Sequence, residues 1–281
     1  MNRLTVNWHL VKDCNYKCSF CYAHFSSIKK NLDFDNSLRL LERIKSAGIY
    51  KINFAGGEPL LNKNTGEYIK YAKNIGLKTS IISNASLMTN GWLKEYGKYT
   101  DQIGISCDSL NDTTNQSLGR GFGNHVTIVK RAFTRINQLK TKQNINIKTK
   151  LNTVVLRANH CEDWNGFIDE YEIDRWKVLK ILKIEGENDH VYDDLSISDK
   201  QFNKFIDRHS GLLKEGILVK ENNDDMEMSY IMITPDGRFY QNKNNEYVYS
   251  DSILDRGFIP ALEQTGFDCK KFDDRGGSYD L

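Results

Sequence analysis

The chain has 281 residues, 39% of them apolar, with 39 Lys and Arg against 37 Asp and Glu. That length holds one large domain or two modest ones, and 14 Tyr and 13 Phe are enough for a real core. The near-neutral balance calls for no nucleic-acid polymer, although local basic clusters could hold phosphates, and no apolar run reaches the ~18 residues of a membrane span.

Three of the six cysteines cluster near the start, and Cys107, Cys161 and Cys269 are scattered. This is no disulfide framework; it fits a reducing cytosol, so a cytoplasmic location is expected. The scattered cysteines read as small buried side chains. They form no second C-x2-C set, so a single cluster is expected. The N-terminus runs straight into a strand, so neither a signal peptide nor a membrane arm is expected.

Leu4 to Leu10 alternates, with Leu4, Val6, Trp8 and Leu10 on one face and Thr5, Asn7 and His9 on the other. In the first strand of a barrel those three polar side chains would point inward. His9 reads more readily as a hydrogen-bonded structural histidine than as a ligand.

Next comes Cys14-Asn15-Tyr16-Lys17-Cys18-Ser19-Phe20-Cys21, spaced C-x3-C-x2-C. Thiolates this close on one loop can wrap an iron–sulfur cluster. Four would close a cluster of four irons; three leave one iron open to a small ligand. Zinc is the rival, because Cys14, Cys18, Cys21 and His24 could complete a tetrahedron. Buried structural thiols are the bland third reading.

Asp35 or Asn36 can cap a helix carrying Leu38, Leu41 and Ile44, closed by Gly48. Strand two, Tyr50 to Phe54, runs into Gly56-Gly57-Glu58-Pro59. Paired glycines let backbone approach a ligand, and a carboxylate beside them suits a ligand with an amino group. An ordinary strand-to-helix turn would look the same. A helix from Glu67 to Asn74 ends at Gly76. Strand three, Lys78 to Ile82, leads into Ser83-Asn84-Ala85-Ser86, and Trp92, Leu93 and Tyr96 mark a helix. Strand four is Gln102 to Ser106, followed by the glycine-rich loop Leu118 to Gly123. An amphipathic helix from His125 to Leu139 turns Val126, Val129, Phe133 and Ile136 inward. Strand five spans Ile145 to Val155, a helix Trp164 to Tyr171, and strand six Arg175 to Ile184.

Beyond residue 190 the pattern changes. Ser198 and Gln201 suggest a capping box for a helix to His209. Met228 to Thr234 and Arg238 to Tyr240 flank a Thr-Pro-Asp-Gly turn as a hairpin. A last helix is expected from Ser252 to Gln264, before the tail Arg275 to Leu281.

Six strand–helix units predict an α/β fold with a parallel sheet. Six are too few for a closed eight-unit barrel, so a partial (β/α)6 barrel is expected over 1–190. An α+β extension over 191–281 would cover its opening. The chemistry should gather at the C-terminal ends of the strands. The cysteine loop, Gly-Gly-Glu-Pro, Ser-Asn-Ala-Ser and the glycine-rich loop all fall there.

Alternation places Lys51 with Asn53, Lys150 with Asn152, and Arg175 with Lys177 on common strand faces. Long cations inside a barrel are costly unless an anion neutralises them. A polyanion such as a triphosphate would do so, and Arg can grip phosphate bidentately. Exposed rim positions are the bland alternative.

C-x3-C-x2-C with Gly-Gly-Glu-Pro resembles the radical S-adenosylmethionine (SAM) superfamily, which leaves zinc as a minor alternative. More narrowly, Asn7-Trp8-His9, the cysteine loop, Lys51 to Pro59, Ile105 to Ser109, Gly119-Arg120-Gly121, Arg175 to Val178, Ile184 to Asn188 and Arg275-Gly276-Gly277 resemble the viperin family, in order along almost the whole chain. The resemblance implies a [4Fe-4S] cluster on Cys14, Cys18 and Cys21, and S-adenosylmethionine as cofactor. Gly57 and Glu58 would hold the methionine amino group, with Gly56 also at the cofactor. Ser106 and Arg120 would hold the ribose or carboxylate of that cofactor, with Asn84 assisting. Lys51, Asn53, Lys150, Asn152, Arg175 and Lys177 would contact a nucleoside triphosphate, and the amide of Asn7 could read a base edge.

The implied reaction is dehydration to the 3′-deoxy-3′,4′-didehydro nucleotide, an antiviral chain terminator. A 5′-deoxyadenosyl radical takes the 4′ hydrogen, and an external one-electron donor supplies electrons. Tyr230 aligns with a tyrosine near the viperin active site and reads equally well as a hydrogen relay or a core residue. Animal viperins carry an N-terminal membrane helix and a longer C-terminus, so a soluble, microbial, monomeric version is expected here. Tyr22 stands where they have Phe, and Tyr240 to Lys243 differ. These two differences bear on the choice of base; CTP, the substrate of the animal proteins, leads, with UTP and then GTP behind it. A radical SAM enzyme acting on another nucleotide or a peptide, or a non-enzymatic zinc or iron–sulfur protein, are the competing readings.

Overall fold

The computed structural model describes residues 3–277. The end of the expected tail, Ser278 to Leu281, lies outside the described residues. The strands are β1 (Thr5–His9), β2 (Lys51–Ala55), β3 (Lys78–Ser83), β4 (Gln102–Ser106), β5 (Lys148–Val155), β6 (Arg175–Lys180), β7 (Leu218–Glu221), β8 (Ile231–Ile233), β9 (Arg238–Lys243) and β10 (Glu246–Ser252). They form one sheet in the order β10-β9-β8-β1-β2-β3-β4-β5-β6-β7. Every pairing from β8 through β7 is parallel, and β9 and β10 add an antiparallel edge. β1 to β6 with their intervening helices make the open partial barrel. The sheet does not break at residue 190, because β7 extends it beyond β6 and β8 beyond β1.

Alternation divides the sheet into two chemically distinct faces. Val6, Trp8, Ile52, Phe54, Ile81, Ile103, Ile105, Leu151, Trp176 and Val178 are all fully buried on the outer face. Leu40, Ile44, Ile69, Val129 and Phe133 from the surrounding helices complete that core. Burying each such side chain contributes ~1.5–3 kcal/mol, so this layer carries most of the stability. The helix Phe34–Ser46 shows how the sequence sets a layer: Leu40, Leu41 and Ile44 are buried, and the Asp33 side chain caps its start by accepting the Asn36 N–H at 2.8 Å. The cap therefore lies two residues earlier than Asp35, because Asp33 has the extended backbone a cap needs. The helix His125–Gln143 buries Val126, Val129, Phe133 and Ile136 as its pattern predicts.

Other details depart from the pattern. The expected helix from Ser252 to Gln264 is two, Ile253–Arg256 and Phe258–Glu263, divided at Gly257 with φ +91°. The capping box at Ser198 and Gln201 is present and opens Asp199–Arg208. β10 follows Asn244 and Asn245, both at positive φ, a pair suited to a tight hairpin turn. Among the described residues no helix is long and apolar enough to cross a membrane.

Candidate active site

The cysteine loop follows β1 and is pinned by the three other loops that the sequence places at strand ends. The Gly57 and Glu58 N–H groups bond the Val11 and Asp13 carbonyls at 2.7 and 2.9 Å. Lys17 and Ser19 N–H groups bond the Gly119 and Leu118 carbonyls, each at 3.0 Å. Asn15 donates to Ser86 Oγ at 2.8 Å and accepts from Asn84 Nδ2 at 2.9 Å. The glycines make this approach possible. A Cβ on Gly57 would sit 2.2 Å from the Asp13 carbonyl oxygen, and one on Gly119, at φ +75°, 2.0 Å from that of Lys17. The freedom expected for a ligand is thus used on the Cβ side to admit the cysteine backbone. Gly119→Ala is expected to displace the loop, and iron bound per chain after reconstitution should fall well below wild type. Undiminished iron content would contradict this packing role.

Glu58 is fully buried, and its carboxylate accepts from Ser83 Oγ at 2.8 Å, Asn84 N at 2.7 Å and Leu60 N at 3.1 Å. Burial holds its pKa up at about 7 against the lowering effect of those donors. The side chain braces the Ser83-Asn84 turn against the Gly-Gly-Glu-Pro turn.

Burial pushes the Cys18 thiol up to about 12 and Cys21 to about 11, and raises Cys14. Cys18 senses the charge of Cys21 and Cys14, Cys21 senses that of Cys14, and Arg120 favours the thiolate at each. Cys14 Sγ accepts the Tyr16 N–H at 3.3 Å and Cys21 Sγ the Ala23 N–H at 3.4 Å. Three soft donors on one loop, with N–H groups already aimed at two sulfurs, fit an iron–sulfur cluster. The tetrahedral zinc site fits poorly. His24 Nδ1 lies 3.4 Å from Glu187, and among the described residues no three His, Cys, Asp or Glu side chains converge on a single ion. Arg120 itself pairs with buried Asp108 and lies over the Phe20 ring at 5.4 Å. Ser106 ends β4, where its carbonyl meets His125 Nε2 at 2.9 Å.

The inner face of the sheet is polar. The register sets Asn7 beside Asn53, Lys150 beside Arg175 and Asn152 beside Lys177. Asn53 donates to Asn7 Oδ1 at 2.9 Å. The Oδ1 atoms of Asn53 and Asn152 are buried with no partner among the described residues, an arrangement that a polar ligand would relieve. Lys51 is 1% exposed and donates to Gln102 Oε1 at 2.8 Å. Burial and then neighbouring Arg175 lower it to about 7. Burial also lowers Lys177 to about 8, even with Glu221 holding it up. Lys150 is lowered well below its usual value by burial and by Lys177, Lys51 and Arg175. Lys51 opens β2 and Arg175 opens β6, so the cations lie deeper than the thiols, which follow a strand end. His9 is buried and neutral, its pKa lowered to about 3 by burial, and it packs edge-on against Phe25 and Tyr240. No partner is found for its Nδ1 among the described residues.

The radical SAM superfamily profile matches residues 9–171. The chain is 38% identical to the S-adenosylmethionine-dependent nucleotide dehydratase of Flammeovirga pacifica, over 98% of this chain and 95% of that one. The chain belongs to this nucleotide dehydratase family of radical SAM enzymes. Two other nucleotide dehydratases agree. That of Lacinutrix mariniflava is 37% identical over 98% of this chain, which spans 58% of that protein. RSAD2 of Oncorhynchus mykiss is 36% identical over 98% of this chain and 80% of that one. Among solved structures, Streptococcus suis SuiB bound to S-adenosylmethionine superposes with a TM-score of 0.67 at 16% identity, over 98% of this chain and 68% of that one. Native anSMEcpe with bound AdoMet gives 0.66 at 16% identity, over 99% and 84%. At such identities these two likenesses show the fold alone.

Two groups of this nucleotide dehydratase's inner face escape sequence reasoning. Glu221 ends a strand of only four residues, too short to show alternation. Arg275, noted only within the Arg-Gly-Gly block, lies 3.2 Å from Glu221. Tyr230 donates its hydroxyl to Glu221 and also meets Lys177.

Proposed function

We propose that this enzyme dehydrates a nucleoside triphosphate, CTP before UTP or GTP, to its 3′-deoxy-3′,4′-didehydro analogue, a chain-terminating antiviral nucleotide. One observation carries the reading: Lys51, Lys150, Arg175 and Lys177 share a buried polar face, and burial together with neighbouring cations depresses all three lysines. A triphosphate would neutralise them and satisfy Asn53 and Asn152.

Cys14, Cys18 and Cys21 are the residues that would hold a [4Fe-4S] cluster. When bound, such a cluster supplies the electron that opens S-adenosylmethionine to a 5′-deoxyadenosyl radical. The Gly57 and Glu58 N–H groups and the Glu58 carboxylate are already engaged, so the methionine amino group would meet the carbonyl side of the turn at Gly56 and Gly57. Asn84 and Ser106 line the same end, and Arg120 supplies positive charge there. Asn7 and Asn53 would orient the nucleotide beneath, and enclosure by the sheet would keep water from the reacting ribose. The electrons come from an external donor.

Anaerobic incubation with dithionite, S-adenosylmethionine and each nucleoside triphosphate in turn tests the reading. Release of 5′-deoxyadenosine should rise with one nucleotide, and stimulation by none would refute it. A pH dependence follows as well. A bound triphosphate raises the pKa values of Lys51 and Lys177, so binding takes up protons. Affinity should be full below the free values of about 7 and 8 and weaken as pH rises through the raised, bound values. Equilibrium dialysis with CTP between about pH 6.5 and 9.5 measures this; affinity that strengthens with pH would contradict it.

A further inference from the structure

Glu221 is 1% exposed at the end of β7. Its Oε1 accepts from Lys177 Nζ at 2.6 Å and from Arg275 Nη1 at 3.2 Å, and its Oε2 accepts the Tyr230 hydroxyl. The Tyr230 ring is held by the same two cations, with Arg275 Cζ 3.6 Å and Lys177 Nζ 4.6 Å from its centroid. Arg275 is fixed in turn by the Ser229 carbonyl, to which Nε and Nη2 donate at 3.0 and 2.9 Å. A carboxylate this deep is tenable only with such partners. Burial and the adjacent carboxylate keep the Tyr230 phenol protonated, so it is the donor in this pair.

We propose that Glu221 is a positioning residue for the dehydration. It fixes the Tyr230 hydroxyl, and in the nucleotide-free enzyme it takes the place at Lys177 and Arg275 that a phosphate oxygen occupies when substrate binds. This rests on the nucleotide reading above. The two roles pull the kinetic constants in a distinctive way. Removing the charge ends the competition for Lys177 and Arg275, which lowers KM for the nucleotide. It also releases the Tyr230 hydroxyl, which lowers kcat.

The test is steady-state kinetics of the reconstituted full chain, with 5′-deoxyadenosine and nucleotide product both quantified. Glu221→Gln should lower the nucleotide KM roughly three- to tenfold and lower kcat about tenfold or more. Glu221→Asp keeps the charge but is one methylene shorter, so it should keep KM and lose kcat. The double variant Glu221→Gln with Tyr230→Phe should be no slower than Tyr230→Phe alone, because both changes remove one hydrogen bond. Wild-type kinetics in Glu221→Gln, a raised KM, or additive losses in the double variant would each overturn the proposal while leaving the nucleotide reading intact. A wild-type enzyme that no nucleotide stimulates would overturn that reading, and this proposal with it.

Discussion

Cys18→Ala is expected to abolish cleavage of S-adenosylmethionine, and the reconstituted variant should retain little iron. Cys18 is the central thiol of the three and is buried, with its Sγ 3.8 Å from the Gly119 carbonyl oxygen. A cluster left with two of its three protein thiolates is lost or mis-seated, and the reductive step goes with it. Turnover should fall by at least about 10³-fold, since the cofactor carries the hard chemistry. Iron content, visible absorption and 5′-deoxyadenosine release measure this together. A variant that keeps both iron and cleavage would remove Cys18 from the site.

Lys150→Met is expected to separate stability from function by moving them in opposite directions. Lys150 is 9% exposed among three other cations and makes no ion pair with a described residue. Burial lowers its pKa, so its ammonium form opposes folding, a cost that is full below the folded-state value and fades as pH rises from there to the unfolded one. Replacing it with an apolar chain of similar length should stabilise the nucleotide-free protein by about 1–3 kcal/mol. The same change removes a charge-assisted contact to phosphate, and CTP affinity should fall about 10- to 100-fold. Thermal melts without nucleotide, paired with equilibrium dialysis, give both numbers. A destabilised variant with unchanged affinity would make Lys150 structural.

The parts of the site that the sequence made legible are those fixed by backbone pattern. Alternation placed Lys51, Asn53, Lys150, Asn152 and Lys177 on the inner face, because strand period is a geometric constant. The loops carrying the cysteines, Gly57, Asn84 and Gly119 were recognisable from turn-forming residues after apolar runs. What stayed hidden depends on contacts between distant segments. Gly57 could be read as open to a ligand, whereas its Cβ direction, like that of Gly119, is filled by the cysteine loop. Glu58, expected at the cofactor, has its carboxylate turned to Ser83, Asn84 and Leu60. Glu221 and Arg275, separated by 54 residues, meet only once β7 joins β6 and the last helix, Cys269–Asp274, folds back. No local pattern announces such a pair.

The most direct measurement of the central claim is the mass of the nucleotide recovered after anaerobic turnover with CTP. The account predicts a product lighter than CTP by one water, formed in step with 5′-deoxyadenosine and absent when S-adenosylmethionine is withheld. CTP recovered unchanged while 5′-deoxyadenosine accumulates, or a mass loss that does not require S-adenosylmethionine, would contradict it.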